Sequence, residues 1–79
     1  MADTPVFDVD CDTRGQRCPL PVLKARKRLK PHPSGTVLRL VCDDPLAAVD
    51  VPNFCREDGH ALIATDDAGG VLSFYIAKA

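Results

Sequence analysis

The sequence predicts an α+β fold in which two helices cover one face of a four-stranded sheet. Four stretches alternate apolar and polar residues, which is typical of strands buried on one side, and two others space their apolar residues as amphipathic helices do. Turn-forming residues separate these stretches into the order β-α-β-α-β-β. The chain has 79 residues, 46% of them hydrophobic. This is enough for one compact core and a single domain over residues 1–79.

The bounds of the predicted elements follow from these patterns, and residues 1–5 are expected to form a flexible N-terminus. The ranges in chain order are 6–12, 19–30, 36–42, 46–58, 60–66 and 71–78. Phe7, Val9 and Cys11 alternate with aspartates, so we expect them to share the inner face of the first strand. A turn at 66–70 is expected to join the last two strands as a hairpin.

The second helix is expected to begin at a capped turn and to contain an interruption. Asp44 is a good N-cap residue, and Pro45 fits the first helical position, where a missing N–H does no harm. Pro52 should kink the helix or divide it, because it removes a donor from the helix interior. Gly59 is expected to end the helix.

Charge and hydropathy argue against a nucleic-acid-binding, membrane-spanning or exported protein. Ten basic and 11 acidic residues give a net charge of −1, which provides no general attraction for nucleic acid. No apolar stretch approaches the ~20 residues that a membrane span needs. The N-terminal residues lack the features of a signal peptide. We therefore expect a cytosolic protein that binds neither nucleic acid nor membrane directly.

The four cysteines, at positions 11, 18, 42 and 55, are expected to be free thiols in the reducing cytosol. Cys11 and Cys42 alternate with core residues on their strands, so packing is the expected role of both. Cys55 lies beside Phe54 on the apolar side of the second helix. Packing is favoured there too, and the alternative is a second thiol near the functional site.

Cys18 stands apart because it follows a loop and immediately precedes the first helix. At the N-cap, its sulfur would face N–H groups that lack intrahelical partners and stabilise a thiolate or persulfide anion. Its pKa is therefore expected below the free value of about 8.5, and Arg17 acts in the same direction. Pro19 and Pro21 remove two N–H donors, which leaves chiefly the Leu20 N–H and a moderate stabilisation.

The spacing around Cys18 favours sulfur carriage over redox exchange. Pro21 stands where a Cys-x-x-Cys motif would have its second cysteine, so the helix supplies no resolving thiol to attack a persulfide. The alternative is a thiol-based redox or regulatory module in which Cys18 forms a disulfide with Cys55 or Cys11. A zinc module is disfavoured because the cysteines include no close pair, and an RNA-binding module because aromatic residues are few.

Several motifs resemble those of the TusA/SirA-type sulfur carrier (sulfurtransferase) family over roughly residues 7–78. They are Asp12, Gly15, Cys18-Pro19-x-Pro21, the basic first helix, Gly35, Asp43-Asp44-Pro45, Asp50-Val51-Pro52, Phe54-Cys55 and Gly59-His60. The Cys-Pro-x-Pro run alone is moderately specific, and the Asp-Asp-Pro and Pro-x-Phe-Cys runs make the match strong. The chain departs from the family at Cys11, where an apolar residue is usual, and at Gln16, where a hydrophobic residue is common.

The resemblance implies a two-layer α/β sandwich with a mixed sheet, and Cys18 as the catalytic residue that carries a persulfide. It implies a protein sulfur donor, either a cysteine desulfurase or a rhodanese-like protein, and a protein acceptor. No metal and no organic cofactor are implied. Family members serve tRNA thiolation, molybdenum-cofactor metabolism or sulfur oxidation, and the sequence does not choose among them. Such a carrier relays sulfur with partners, so its status as an enzyme stays open.

Further residues are expected to shape the site or to bind partners. Those expected to shape the Cys18 segment are Arg17, Pro19, Pro21, Asp12 and Gly15. By helical phase, Leu20 and Leu23 lie away from the core near Lys24 and Lys27, and exposed leucines rimmed by charge can mark a docking patch. The alternative is a solvated basic face with two incidental leucines. Asp44 is expected to hold the Cys18 segment and could also contact a partner.

Overall fold

The computed structural model describes residues 5–79 and places both helices on one face of a four-stranded sheet. The elements are β1 Val9–Asp12, α1 Leu20–Leu29, β2 Val37–Cys42, α2 Ala47–Asp58, β3 Ala61–Ala68 and β4 Val71–Ala77. The flexible N-terminus predicted for residues 1–5 lies outside the described residues, apart from Pro5. No helix within residues 5–79 is long and apolar enough to cross a membrane.

The sheet is mixed, with the strand order β1-β2-β4-β3. β1 and β2 pair in parallel, with Asp12 opposite Val41 at their carboxyl ends. β4 pairs antiparallel with both β2 and β3. The predicted α+β fold, with its order β-α-β-α-β-β, is confirmed. Since α1 and α2 each follow one of the two parallel strands, both helices begin at the same edge of the sheet.

One hydrophobic cluster fills the space between the helices and the sheet. Apolar side chains of the helix layer and of the sheet meet there: Val9, Cys11, Ala25, Leu29, Leu38, Leu40, Cys42, Ala47, Val51, Phe54, Cys55, Leu72, Phe74 and Ile76. In β4, Leu72, Phe74 and Ile76 share the inner face, as alternation requires. Full burial of each large side chain contributes about 1.5–3 kcal/mol, so this cluster supplies most of the driving force for folding.

The prediction for Phe7 was wrong. The regular strand begins only at Val9, so Phe7 lies outside the alternation and does not join the core with Val9 and Cys11. Its ring lies 6.2 Å from the ring of Tyr75, and the guanidinium carbon of Arg39 lies 4.5 Å above it. Both partners alternate with core residues along their strands. Phe7 therefore packs on the sheet face opposite the helices.

α2 begins later than predicted, because the predicted cap residues form a separate turn. Leu46 occupies the N-cap and the helix starts at Ala47. The Ala47 N–H donates to the Asp44 carbonyl at 3.0 Å, and the Leu46 N–H donates to the Asp44 carboxylate at 3.1 Å. Asp44 thus binds a free backbone donor, as a cap residue would, but from one turn before the helix.

Pro52 does not divide α2, which runs unbroken from Ala47 to Asp58. The carbonyl that loses its helical donor belongs to Ala48, an exposed residue that water can reach. The predicted end of the helix at Gly59 is confirmed: Gly59 adopts a left-handed conformation with φ +77°, and its N–H donates to the Cys55 carbonyl.

The final hairpin is tighter than predicted. β3 extends to Ala68, so the connection shrinks from the predicted 66–70 to Gly69 and Gly70. Both glycines have positive φ, +62° and +90°, and a two-residue turn with this geometry matches the twist of the two strands. The Gly70 N–H also donates to the Asp67 carboxylate at 3.0 Å.

Candidate functional site

Cys18 lies immediately before α1 and is half-buried. The expected N-cap position was off by one residue, because Pro19 occupies the N-cap and the helix starts at Leu20. The Leu20 N–H donates to the Arg17 carbonyl at 2.9 Å and closes a turn ahead of the helix. The Leu20 N–H, which was expected to stabilise the Cys18 sulfur, therefore binds a backbone carbonyl instead.

The Cys18 loop is fixed by two neighbouring carboxylates at the end of β2. The Cys18 N–H donates to Asp44 at 2.8 Å, and the Gly15 N–H donates to Asp43 at 2.9 Å. Asp44 is only 5% exposed, and its two oxygens face the N–H groups of Cys18 and Leu46. Asp44 therefore holds the loop from inside the protein and presents little surface to a partner.

The Cys18 sulfur lies in contact with the carboxylate of Asp50. Asp50 lies in the first turn of α2 and is half-buried. Sequence reasoning included Asp50 in a family motif but did not assign it to the site. The predicted topology could have indicated this contact. Both helices begin at the same edge of the sheet, which brings the segment before α1 close to the first turn of α2.

Cys18 borders an open groove of about 340 Å³ between the two helices, which is lined by Pro19, Val22, Asp50, Asn53, Phe54 and Glu57. Behind the sulfur, a smaller space is lined by Pro21, Val22, Asp44, Ala47 and Asp50. The charged residues in these two linings are all acidic. The surroundings of the sulfur are thus richer in carboxylates than the sequence suggested.

A second cavity, of about 320 Å³, lies at the opposite end of the helices. Its lining is mainly basic and consists of Arg26, Leu29, Lys30, Asp58, His60 and Lys78. The C-terminal ends of α1 and α2 both reach it, and basic residues are favoured beside the partial negative charge of helix C-termini. The two helix C-termini therefore account for the basic residues of this cavity without any role for Cys18.

The remaining predicted site residues occupy two different settings. Asp12 ends β1 and accepts hydrogen bonds from the backbone and guanidinium of Arg14, with an ion pair at 2.8 Å. The Arg14 hydrogen bonds lower the pKa of the exposed Asp12 to about 2. Arg17 and Pro19 are exposed, whereas Pro21 is buried against the core.

The other three thiols are buried, as expected for Cys11 and Cys42. Burial raises the pKa of each of them, and raises the pKa of Cys55 to about 11. Cys55 is 3% exposed, so it is a neutral packing residue at physiological pH. Within residues 5–79, no three cysteine, histidine or acidic side chains come together in a way that could hold a metal ion.

Apolar side chains are exposed on α1 and at the start of α2. Leu20 and Leu23 are about half exposed and share a face of α1 with Lys24 and Lys27, as the helical phase predicted. Leu46 and Val49, at the start of α2, are also exposed, and sequence reasoning did not single them out. We call the four α1 residues Leu20, Leu23, Lys24 and Lys27 the α1 patch.

The fold and site define a small two-layer protein that presents one cysteine ahead of its first helix. The chain belongs to the Sulfurtransferase TusA family, whose profile matches residues 9–78. The resemblance to TusA/SirA-type sulfur carriers is therefore confirmed.

Individual relatives agree with this assignment. The chain is 38% identical to the sulfur carrier protein TusA of Allochromatium vinosum over 78 residues, which cover 99% of each protein. The crystal structure of a SirA-like protein from Desulfitobacterium hafniense superimposes with a TM-score of 0.78. It is 24% identical, and the match covers 89% of this chain and 96% of that one. At this identity the structural likeness supports the fold.

Proposed function

We propose that this protein is a sulfur carrier that accepts sulfane sulfur as a persulfide on Cys18 and passes it to an acceptor protein. One observation carries the proposal: of the four cysteines, all within residues 5–79, three are buried and Cys18 borders an open groove. Membership of the TusA family supports it independently.

The proposed chemistry moves one sulfur atom in two nucleophilic steps. The Cys18 sulfur attacks the outer sulfur of a donor persulfide, the donor S–S bond breaks, and the donor leaves as a thiol. Cys18 then carries the S–SH group. An acceptor thiol attacks its outer sulfur, which breaks the Cys18 S–S bond and regenerates the Cys18 thiol. Loading gives Cys18–SH + R–S–SH → Cys18–S–SH + R–SH, with no net oxidation or reduction.

The proposal includes protein partners and a cytosolic location. The donor is a cysteine desulfurase or a rhodanese-like protein, and both donor and acceptor dock on the α1 patch beside Cys18. Exposed leucines supply apolar contact there, and the lysines favour acidic partner surfaces. A reducing compartment keeps Cys18 available as a thiol.

The burial of the other thiols weighs against the redox alternative. A disulfide from Cys18 would need Cys11 or Cys55 to reach the surface, yet these are 0% and 3% exposed. Their pKa values are raised by burial, which lowers the thiolate fraction that disulfide exchange requires.

The Cys18→Ser variant tests the proposal. After incubation with a persulfide donor, mass spectrometry should show one added sulfur atom on the wild type and none on the variant. Cys55→Ala is the matched control and should load normally, because Cys55 is buried away from the groove. A Cys18→Ser variant that gains sulfur at the normal rate would refute the proposal. A wild type that only loses two hydrogens would instead support the redox alternative.

A further inference from the structure

We infer that Asp50 is a second catalytic residue, which takes the proton from the Cys18 sulfur during loading and returns it during unloading. The inference rests on the proposed sulfur-carrier function and adds a proton carrier to the same site. Its basis is the contact between the Cys18 thiol and the Asp50 carboxylate.

The structure leaves the sulfur without the helix-end donors that usually stabilise a thiolate. Pro19 and Pro21 have no N–H, and the Leu20 N–H donates to the Arg17 carbonyl. The Cys18 N–H itself donates to Asp44. The side chain that the structure places against the sulfur is the carboxylate of Asp50. An ionised carboxylate can only accept a hydrogen bond, so it favours a sulfur that holds its proton.

The charges around Cys18 also favour the neutral thiol. Asp44 lines the space behind the sulfur, and Asp50 and Glu57 line the groove from α2. Arg17, which precedes Cys18 in the loop, is exposed and lines neither. On the α1 side, the lining consists of Pro19, Pro21 and Val22, which carry no charge. Three carboxylates against one exposed arginine disfavour a thiolate, because like charges raise the cost of ionisation.

A neutral thiol must lose its proton as it attacks, and Asp50 is in place to receive it. During loading, the Cys18 proton moves to the Asp50 carboxylate while the sulfur attacks the donor persulfide. The leaving donor thiolate then takes this proton, and Asp50 is again ionised. During unloading, Asp50 accepts the proton of the attacking acceptor thiol and delivers it to the Cys18 sulfur as the S–S bond breaks.

Asp50→Asn tests this inference through two reactions that respond in opposite directions. Alkylation of Cys18 by iodoacetamide near neutral pH needs only the thiolate, so removing the Asp50 charge should make it several-fold faster and shift its pH profile to lower pH. Loading from glutathione persulfide needs the proton carrier, so it should slow by about 10-fold or more. Circular dichroism verifies that the variant is folded.

Two further variants separate proton transfer from general effects. Glu57→Gln removes one charge from the same groove without touching the sulfur, and it should change both rates much less than Asp50→Asn. Asp50→Glu retains a carboxylate, so it should load faster than Asp50→Asn and more slowly than the wild type. If Asp50→Asn does not fold, the comparison of Asp50→Glu with the wild type still tests the inference.

The remaining outcomes overturn one claim or the other. Unchanged loading in Asp50→Asn, or both reactions changing in the same direction, refutes the role of Asp50 and leaves the carrier function intact. A wild type that is alkylated at Cys18 but never gains sulfur refutes the carrier function, and the acid–base role falls with it.

Discussion

Cys11 and Cys42 are equally buried, yet their surroundings differ in one polar contact. Both are 0% exposed. The Cys42 sulfur lies 3.4 Å from the Thr13 hydroxyl, which donates to the Val41 carbonyl at 2.7 Å. Among the hydrogen bonds of residues 5–79, none involves the Cys11 sulfur. A hydroxyl introduced at position 42 could therefore form a hydrogen bond with Thr13, whereas a hydroxyl at position 11 would have no such partner.

Serine substitution should therefore be more costly at Cys11 than at Cys42. Cys11→Ser buries a hydroxyl without a partner and should lower the free energy of unfolding by about 1–3 kcal/mol. Cys42→Ser should cost about 1 kcal/mol, because its hydroxyl can donate to Thr13. Urea denaturation of both variants measures the difference, and a larger loss at Cys42 would contradict this account.

At the scale of single residues, the sequence identified Cys18 but not its chemical setting. The Cys-Pro-x-Pro run and the position before a helix sufficed to distinguish Cys18 from the packing cysteines. The contact with Asp50 joins residues 32 positions apart. No local pattern encodes such a contact, because it depends on how two helices meet at one sheet edge.

At the scale of elements, α1 separates its two roles by helical face. Ala25 and Leu29 pack into the core, while the α1 patch stays exposed. Cys18, the residue proposed to carry sulfur, therefore lies directly before the helix that bears the surface proposed for docking. This arrangement predicts that docking and sulfur chemistry can be impaired independently.

Charge reversal on the α1 patch should slow transfer from a protein donor alone. The double variant Lys24→Glu/Lys27→Glu should load several-fold more slowly from a cysteine desulfurase at low salt, and the difference should shrink at high salt. Loading from glutathione persulfide should be unchanged, because a small donor needs no docking. Lys30→Glu, beyond the end of α1 farther from Cys18, is the matched control. Equal loss with both donors would contradict docking at this patch.

The six elements were all predictable from periodicity, and so was the end of α2 at Gly59, but several other ends were not. Asp44 and Pro45 match a helix start in sequence, yet Asp44 is drawn into a turn that also binds Cys18. Pro52 looked like an interruption, but the surrounding helix is held by burial of Val51, Phe54 and Cys55. In each case a contact distant in sequence outweighs the local preference.

At the scale of the whole molecule, the burial of three thiols links stability to alkaline pH. Burial raises the pKa of Cys11, Cys42 and Cys55 above that of a free thiol, to about 11 for Cys55. The folded protein therefore keeps protons that the unfolded chain releases above about pH 9. The stability that these groups provide is complete below that pH and is lost as the pH rises through the folded values.

The free energy of unfolding should thus fall between about pH 9 and 11, by up to about 1.4 kcal/mol per pH unit for each thiol involved. Urea denaturation at a series of pH values measures this slope. Cys55→Ala should show a shallower slope, whatever its stability at neutral pH. An identical slope in the variant would mean that Cys55 does not contribute.

The bulge in β3 has a consequence for how copies of this protein meet in a crowded cell. β3 is an outer strand of the sheet, and its pairing with β4 shifts register between Leu62 and Ala64. Such a bulge, followed by the charged residues Asp66 and Asp67, opposes the pairing of a strand from another molecule with the free edge of β3. The protein should therefore resist edge-to-edge association through β3, which leaves the helix-covered face, with the proposed sulfur site, for contacts with partners.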